Sequence, residues 1–62
     1  MKVREIVRLL TDDGWEQVSQ RGSHRQFKHA TKAGKVTVSG KLSEDVPVGT
    51  LKSILRQAGL EK

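Results

Sequence analysis

Gln20-Arg21-Gly22-Ser23-His24-Arg25-Gln26-Phe27-Lys28-His29 is the stretch from which the rest of the chain can be placed. Gly22 reaches φ > 0 without a Cβ clash, so Arg21-Gly22-Ser23 reads as a tight turn between two strands. The strands run at about Trp15 to Gln20 and His24 to His29. Alternation sorts the second one. With Phe27 turned into a core, Arg25 and His29 share its side at the strand margins, and His24, Gln26 and Lys28 face solvent on the other. Both histidines and the only phenylalanine of the chain fall inside this stretch.

Working outward, Trp15 and Val18 are an odd number of residues apart and cannot both face one side of a flat strand. Trp15 is therefore expected at the junction with the preceding helix, as core filler rather than as a platform for stacked bases. Thr31-Lys32-Ala33-Gly34 reads as a hairpin loop, and Lys35 to Ser39 as a third strand with Val36 and Val38 inward. Upstream, Val3, Ile6, Val7 and Leu10 form an i, i+3, i+4, i+7 stripe, predicting a helix over about 2–13 that stops at Gly14. Downstream, Gly40 to Val46 is a connector with Leu42 and Val46 as anchors. Pro47 precedes a second helix over about 48–58, with Leu51, Ile54, Leu55 and Ala58 as its stripe and Gly59-Leu60 as a Schellman-type stop.

The expected fold is α+β, in the order α-β-β-β-α: a three-stranded antiparallel sheet with two helices on one face, like a double-stranded RNA-binding domain. Sixty-two residues are expected to form one domain over 1–62. The chain has no cysteine, which points to a reducing compartment and rules out disulfides and thiolate metal sites. Nothing resembles a signal peptide, and no apolar run approaches the roughly 18 residues of a membrane span. A cytoplasmic protein without a membrane association is the expectation.

The net charge of +5 is unevenly placed. Between Glu16 and Glu44 there is no acidic residue, while Arg21, Arg25, Lys28, Lys32, Lys35 and Lys41 all lie there. Such a block points to a positive face for nucleic acid or another polyanion, against the plainer reading of a solubilising surface. His24 and His29, at odd separation on a strand, are a poor metal pair. Ser23 and His24, adjacent and without a nearby carboxylate, are a poor nucleophile–base pair.

RNA chemistry asks for less. The ribose 2′-hydroxyl is the nucleophile, so one histidine as proton acceptor and a few cations suffice, without metal or small-molecule cofactor. His24 fits that part, beside Gly22 and within reach of Lys28, with Arg21, Arg25 and Lys35 to hold flanking phosphates. His29 is left without a task.

Gly14-Trp15, Arg21-Gly22-Ser23-His24-Arg25-Gln26-Phe27, Val36-Thr37-Val38 and Gly49-Thr50-Leu51-Lys52-Ser53-Ile54-Leu55-Arg56-Gln57-Ala58-Gly59-Leu60 together resemble the HicA toxins of bacterial and archaeal HicAB toxin–antitoxin modules. The resemblance covers nearly the whole chain. It implies an mRNA interferase, a metal-independent endoribonuclease on a double-stranded RNA-binding-like fold, with His24 as the single catalytic histidine. It also implies mRNA as substrate and a HicB-type antitoxin that covers the active site. Gly22 and Ser23 match the turn before the histidine. Gly49 and Thr50 match the start of the second helix, where free backbone N–H groups could receive a phosphate. Many members carry Pro-x-His after the third strand, where this chain has Val38-Ser39-Gly40-Lys41, so Lys41 keeps only the charge. A non-catalytic RNA-binding module is the alternative. A DNA-binding subunit fits less well, since no helix–turn–helix pattern is present and the basic block lies on strands.

Overall fold

The computed structural model describes residues 1–61, with α1 (Val3–Asp12), β1 (Trp15–Arg21), β2 (His24–His29), β3 (Lys35–Val38) and α2 (Val48–Gln57) following one another along the chain. The strands form one antiparallel sheet in the order β1-β2-β3. α1 lies against β1 and α2 against β3. Val3, Ile6 and Leu10 of α1, Ile54 of α2 and Ala58 at its end close with Trp15, Phe27, Val36, Val38 and Val46 into one core. Both helices therefore cover the same sheet face, and the other face carries no layer. The molecule is 16 Å through its thin axis, room for one helical layer on one sheet.

The helix ends follow from their local residues. Gly14, at φ 99°, turns the chain out of α1 and donates its N–H to Thr11 O at 3.0 Å. Gly59, at φ 70°, ends α2 in a Schellman motif, with Leu60 N–H on Leu55 O at 2.8 Å and Gly59 N–H on Arg56 O at 3.1 Å. The start of α1 is sealed. The Glu5 carboxylate accepts Lys2 N–H at 2.7 Å, Val3 N–H donates to Glu44 O at 2.9 Å, and Arg4 N–H donates to Leu42 O at 3.1 Å. Leu42 thus contributes its carbonyl rather than the expected apolar anchor, and its side chain stays 47% exposed. Val46 does anchor the connector.

Phe27 faces the core and alternation holds along β2, with Arg25 buried and His24 and Lys28 exposed. Arg21 pairs with His24, which lengthens the expected first strand by one residue and reduces the turn to Gly22-Ser23. Gly22 at φ 60° with no positive φ at Ser23 is the backbone signature of a type II′ hairpin.

β1 carries a feature absent from the expected strand, a bulge at Val18, where the register shifts between Gln17 and Ser19. Val18 is the unpaired residue and is 52% exposed. Up to Gln17 the odd-numbered residues of β1 share the side of Trp15. Beyond the bulge Ser19 opposes Gln26 and Arg21 opposes His24, so both sit on the uncovered face.

The two helices run in the same direction. Val3 packs beside Gly40, whose carbonyl is held by Arg25 at the start of β2. At the other end, the Lys32 ammonium donates to the Asp13 carboxylate and to Ala58 O, joining the ends of both helices just beyond β2. Val46 N–H donates to Met1 O, which places the start of α2 beside the start of α1. Both N-termini thus lie at the end of the sheet where the β1–β2 turn projects.

Candidate functional site

The uncovered face is built in cross-strand rows. Arg21 and His24 form the row nearest the turn, then Ser19, Gln26 and Thr37, then Glu16, Lys28 and Lys35. Ser19, Gln20, Arg21, His24 and Gln26 line an open depression of about 600 Å³ on this hairpin. His24 stands in it with its ring unpartnered, since no hydrogen bond to either nitrogen forms among the described residues. Gly22 leaves its own surroundings open, with nothing within 4 Å of where a Cβ would stand. The turn is braced from the side: Gln20 Nε2 donates to Gly22 O at 3.0 Å, and Gln17 Nε2 donates to Gln20 Oε1 at 3.2 Å.

Lys28 and Lys35 are directly opposed across β2 and β3. Like charges in that position repel, and an anion between them relieves the repulsion. Among the described residues neither enters an ion pair, and the same is true of Arg21 and Lys41; the pairs formed there are Lys2–Asp45, Lys32–Asp13 and Arg56–Glu61. The basic block seen in the sequence is therefore divided by the fold. Arg21, Lys28 and Lys35 belong to the open face. Lys32 is used to tie the helix ends. Arg25, counted among the phosphate contacts beside His24, points through the other face of the sheet and is 8% exposed. Its Nη1 donates to Gly40 O at 2.8 Å and to Ser23 O at 3.3 Å. Gly49 and Thr50 sit in the first turn of α2, in the helical layer, and Leu51 supplies the first N–H to bond back, to Pro47 O at 2.9 Å.

The second histidine does a different job. His29 Nε2 lies 2.7 Å from Asp13 O, while Nδ1 faces the backbone N–H groups of Thr31 at 3.0 Å and Lys32 at 3.1 Å. A carbonyl can only accept and an amide N–H can only donate, so these partners select the neutral ring with its proton on Nε2. Trp15 packs edge-on to the same ring at 5.2 Å between centroids and is 1% exposed, which makes it core and not a stacking platform. Its indole N–H is buried without a hydrogen-bond partner. The Lys32 ammonium on the Asp13 carboxylate holds that carboxyl below its usual range.

Residues 3–60 match the family described as the HicA toxin of bacterial toxin-antitoxin. The chain belongs to the HicA toxin family. The match spans all five elements, so the toxin role attaches to the whole fold and not to a fragment of it. No curated protein matches the chain significantly. Within the HicA frame, the Gly22-Ser23-His24 corner is the part that combines an open surface, a free imidazole and adjacent cations. The contribution of the bulge was missed at sequence level, although a signal existed. Trp15 must face the core and Arg21 must share a face with His24 across a two-residue turn. Their even separation then requires one extra residue between them.

Proposed function

We propose that this HicA toxin is a metal-independent endoribonuclease, an mRNA interferase, with His24 as its single catalytic residue. The observation that carries the proposal is the His24 ring, free of internal partners, in an open depression beside Arg21 and the unobstructed Gly22. His24 removes the proton from a ribose 2′-hydroxyl as that oxygen attacks the adjacent phosphorus; the bond to the 5′ oxygen breaks, and the leaving oxygen takes up a proton. Arg21, Lys28 and Lys35 hold the backbone on the same face and offset the charge that develops on phosphorus. Gly22 and Ser23 let a phosphate approach closely, and Lys41, Gly49 and Thr50 add contacts at the same end of the molecule. A HicB-type antitoxin inhibits by covering this face. No cofactor is called for by this chemistry.

Purified protein incubated with RNA in EDTA tests this. Cleavage by the native chain and none by His24→Ala, with an unchanged fold, is the expected result; equal cleavage or full toxicity from His24→Ala would sink the assignment. One observation favours a second reading, a non-catalytic RNA-binding module: among the described residues no side chain orients the His24 ring, as a third group commonly does for a catalytic base. That reading gives salt-sensitive binding without cleavage products.

A further inference from the structure

Arg25 is the one charged residue among the buried ones, and no carboxylate pairs with it among the described residues. Glu44 comes close, with Oε2 3.1 Å from where a Gly40 Cβ would stand, yet it makes no ion pair with the guanidinium. A buried cation without a counter-charge is unfavourable unless something else answers its charge. Two carbonyls answer it in part, and both take their hydrogens from Nη1. Nε and Nη2 donate to nothing among the described residues, and neither is sealed off from solvent. These two nitrogens present parallel N–H groups on one edge of the plane, the fork that takes two oxygens of one phosphate or carboxylate. Because Nη1 is pinned between the turn and Gly40, the fork is held in place before any ligand arrives.

The surroundings identify the ligand. Arg25 holds the carbonyl of Ser23, the residue before His24, so the fork and the imidazole sit on neighbouring residues and open to opposite faces of the strand end. Arg21 pairs with His24 across the turn, and Lys41 follows the Gly40 carbonyl that Arg25 binds. Neither is ion-paired among the described residues. Three unanswered cations around one hairpin end match a ligand with repeated negative charges, whereas a carboxylate of a protein partner would answer one of them.

We propose that the Arg25 fork binds a backbone phosphate of the RNA next to the one presented to His24. The substrate then crosses the free end of the β1–β2 hairpin instead of lying flat along the uncovered face. This rests on the proposed nuclease reading and adds the path of the RNA to it.

The test uses the full chain carrying His24→Ala, so that a short single-stranded oligoribonucleotide stays intact. The Arg25 Nε–H resonance should move on titration with this RNA and saturate with it. Arg25→Lys in the same background keeps the charge and loses the fork; it should weaken RNA binding about tenfold while leaving the slope of log affinity against log salt nearly unchanged. RNA that binds without moving the Nε–H resonance overturns the proposal and leaves the nuclease reading standing. The same holds if Arg25→Lys keeps its RNA affinity, including the case where it loses only a cognate antitoxin. RNA that fails to bind at all overturns both, and cleavage by the His24→Ala chain overturns the catalytic reading alone. Should Arg25→Lys not fold, the Nε–H titration decides, since that protein retains Arg25.

Discussion

β2 begins and ends with a histidine, and the two could hardly be used more differently. At the start, His24 is exposed, touches no internal partner and stands over an open depression. At the end, every nitrogen of His29 is engaged by backbone, and the ring packs edge-on against the buried Trp15. The same side chain is thus a free, solvent-facing imidazole at one end and a structural tie at the other. What separates them is the company. Around His29, a helix C-terminus and a loop converge and leave a carbonyl and two amides to be satisfied. Around His24, a tight turn satisfies its own backbone and leaves the ring out in water.

The contrast can be broken most sharply at His24. His24→Ala should abolish detectable RNA cleavage, a loss of at least about 10²-fold, while changing stability by no more than about 0.5 kcal/mol. Cleavage assays and urea unfolding on the same preparation check both halves, and a large stability loss would contradict the free-ring description. His29→Ala should do the reverse. Leaving Thr31 N–H, Lys32 N–H and Asp13 O without their partner and opening space beside Trp15 should destabilise by about 2–3 kcal/mol, seen as a lower urea midpoint.

Gly14→Ala probes the same tie from the other side. A Cβ there would stand 2.8 Å from His29 Nε2, on a backbone at φ 99°, and the substitution should cost about 1–2 kcal/mol, with cleavage per folded molecule unchanged. The smallest effect concerns acid. Asp13 has a carboxyl depressed by Lys32, so its contribution is present above the ordinary value of 3.8 and is lost as the pH falls through the lower folded value. Lys32→Ala should remove that component. The difference in stability between native and variant chains should therefore shrink below that window, as unfolding at a series of acid pH values would show.

Much of this was legible beforehand. Hydrophobic spacing located both helices and three strands to within a residue or two, because burying one stripe or one face is the dominant demand on so small a chain. Parity alone put His24 in solvent and turned Arg25 inward. The charge block was legible as a total and misleading as a surface. Lys32 reaches Asp13 and Ala58 O from a loop, and Arg25 reaches Gly40 O across 15 positions of chain. No local pattern reports a side chain's distant partner. The role of His29 was invisible for the same reason, since its partners come from the end of α1 and the loop after its own strand.

By itself, the sequence determined the element order, most of the core, a glycine turn between the first two strands and membership of the HicA toxin family. These rest on local backbone preference and on the period of apolar residues, which need no knowledge of what lies opposite. Only the tertiary structure decided which cations remain free, which histidine is locked, and that the bulge at Val18 brings Arg21 round to the face of His24. Those outcomes depend on register and on contacts between residues far apart in the chain, and such contacts exist only once the sheet has paired and the helices have closed over it.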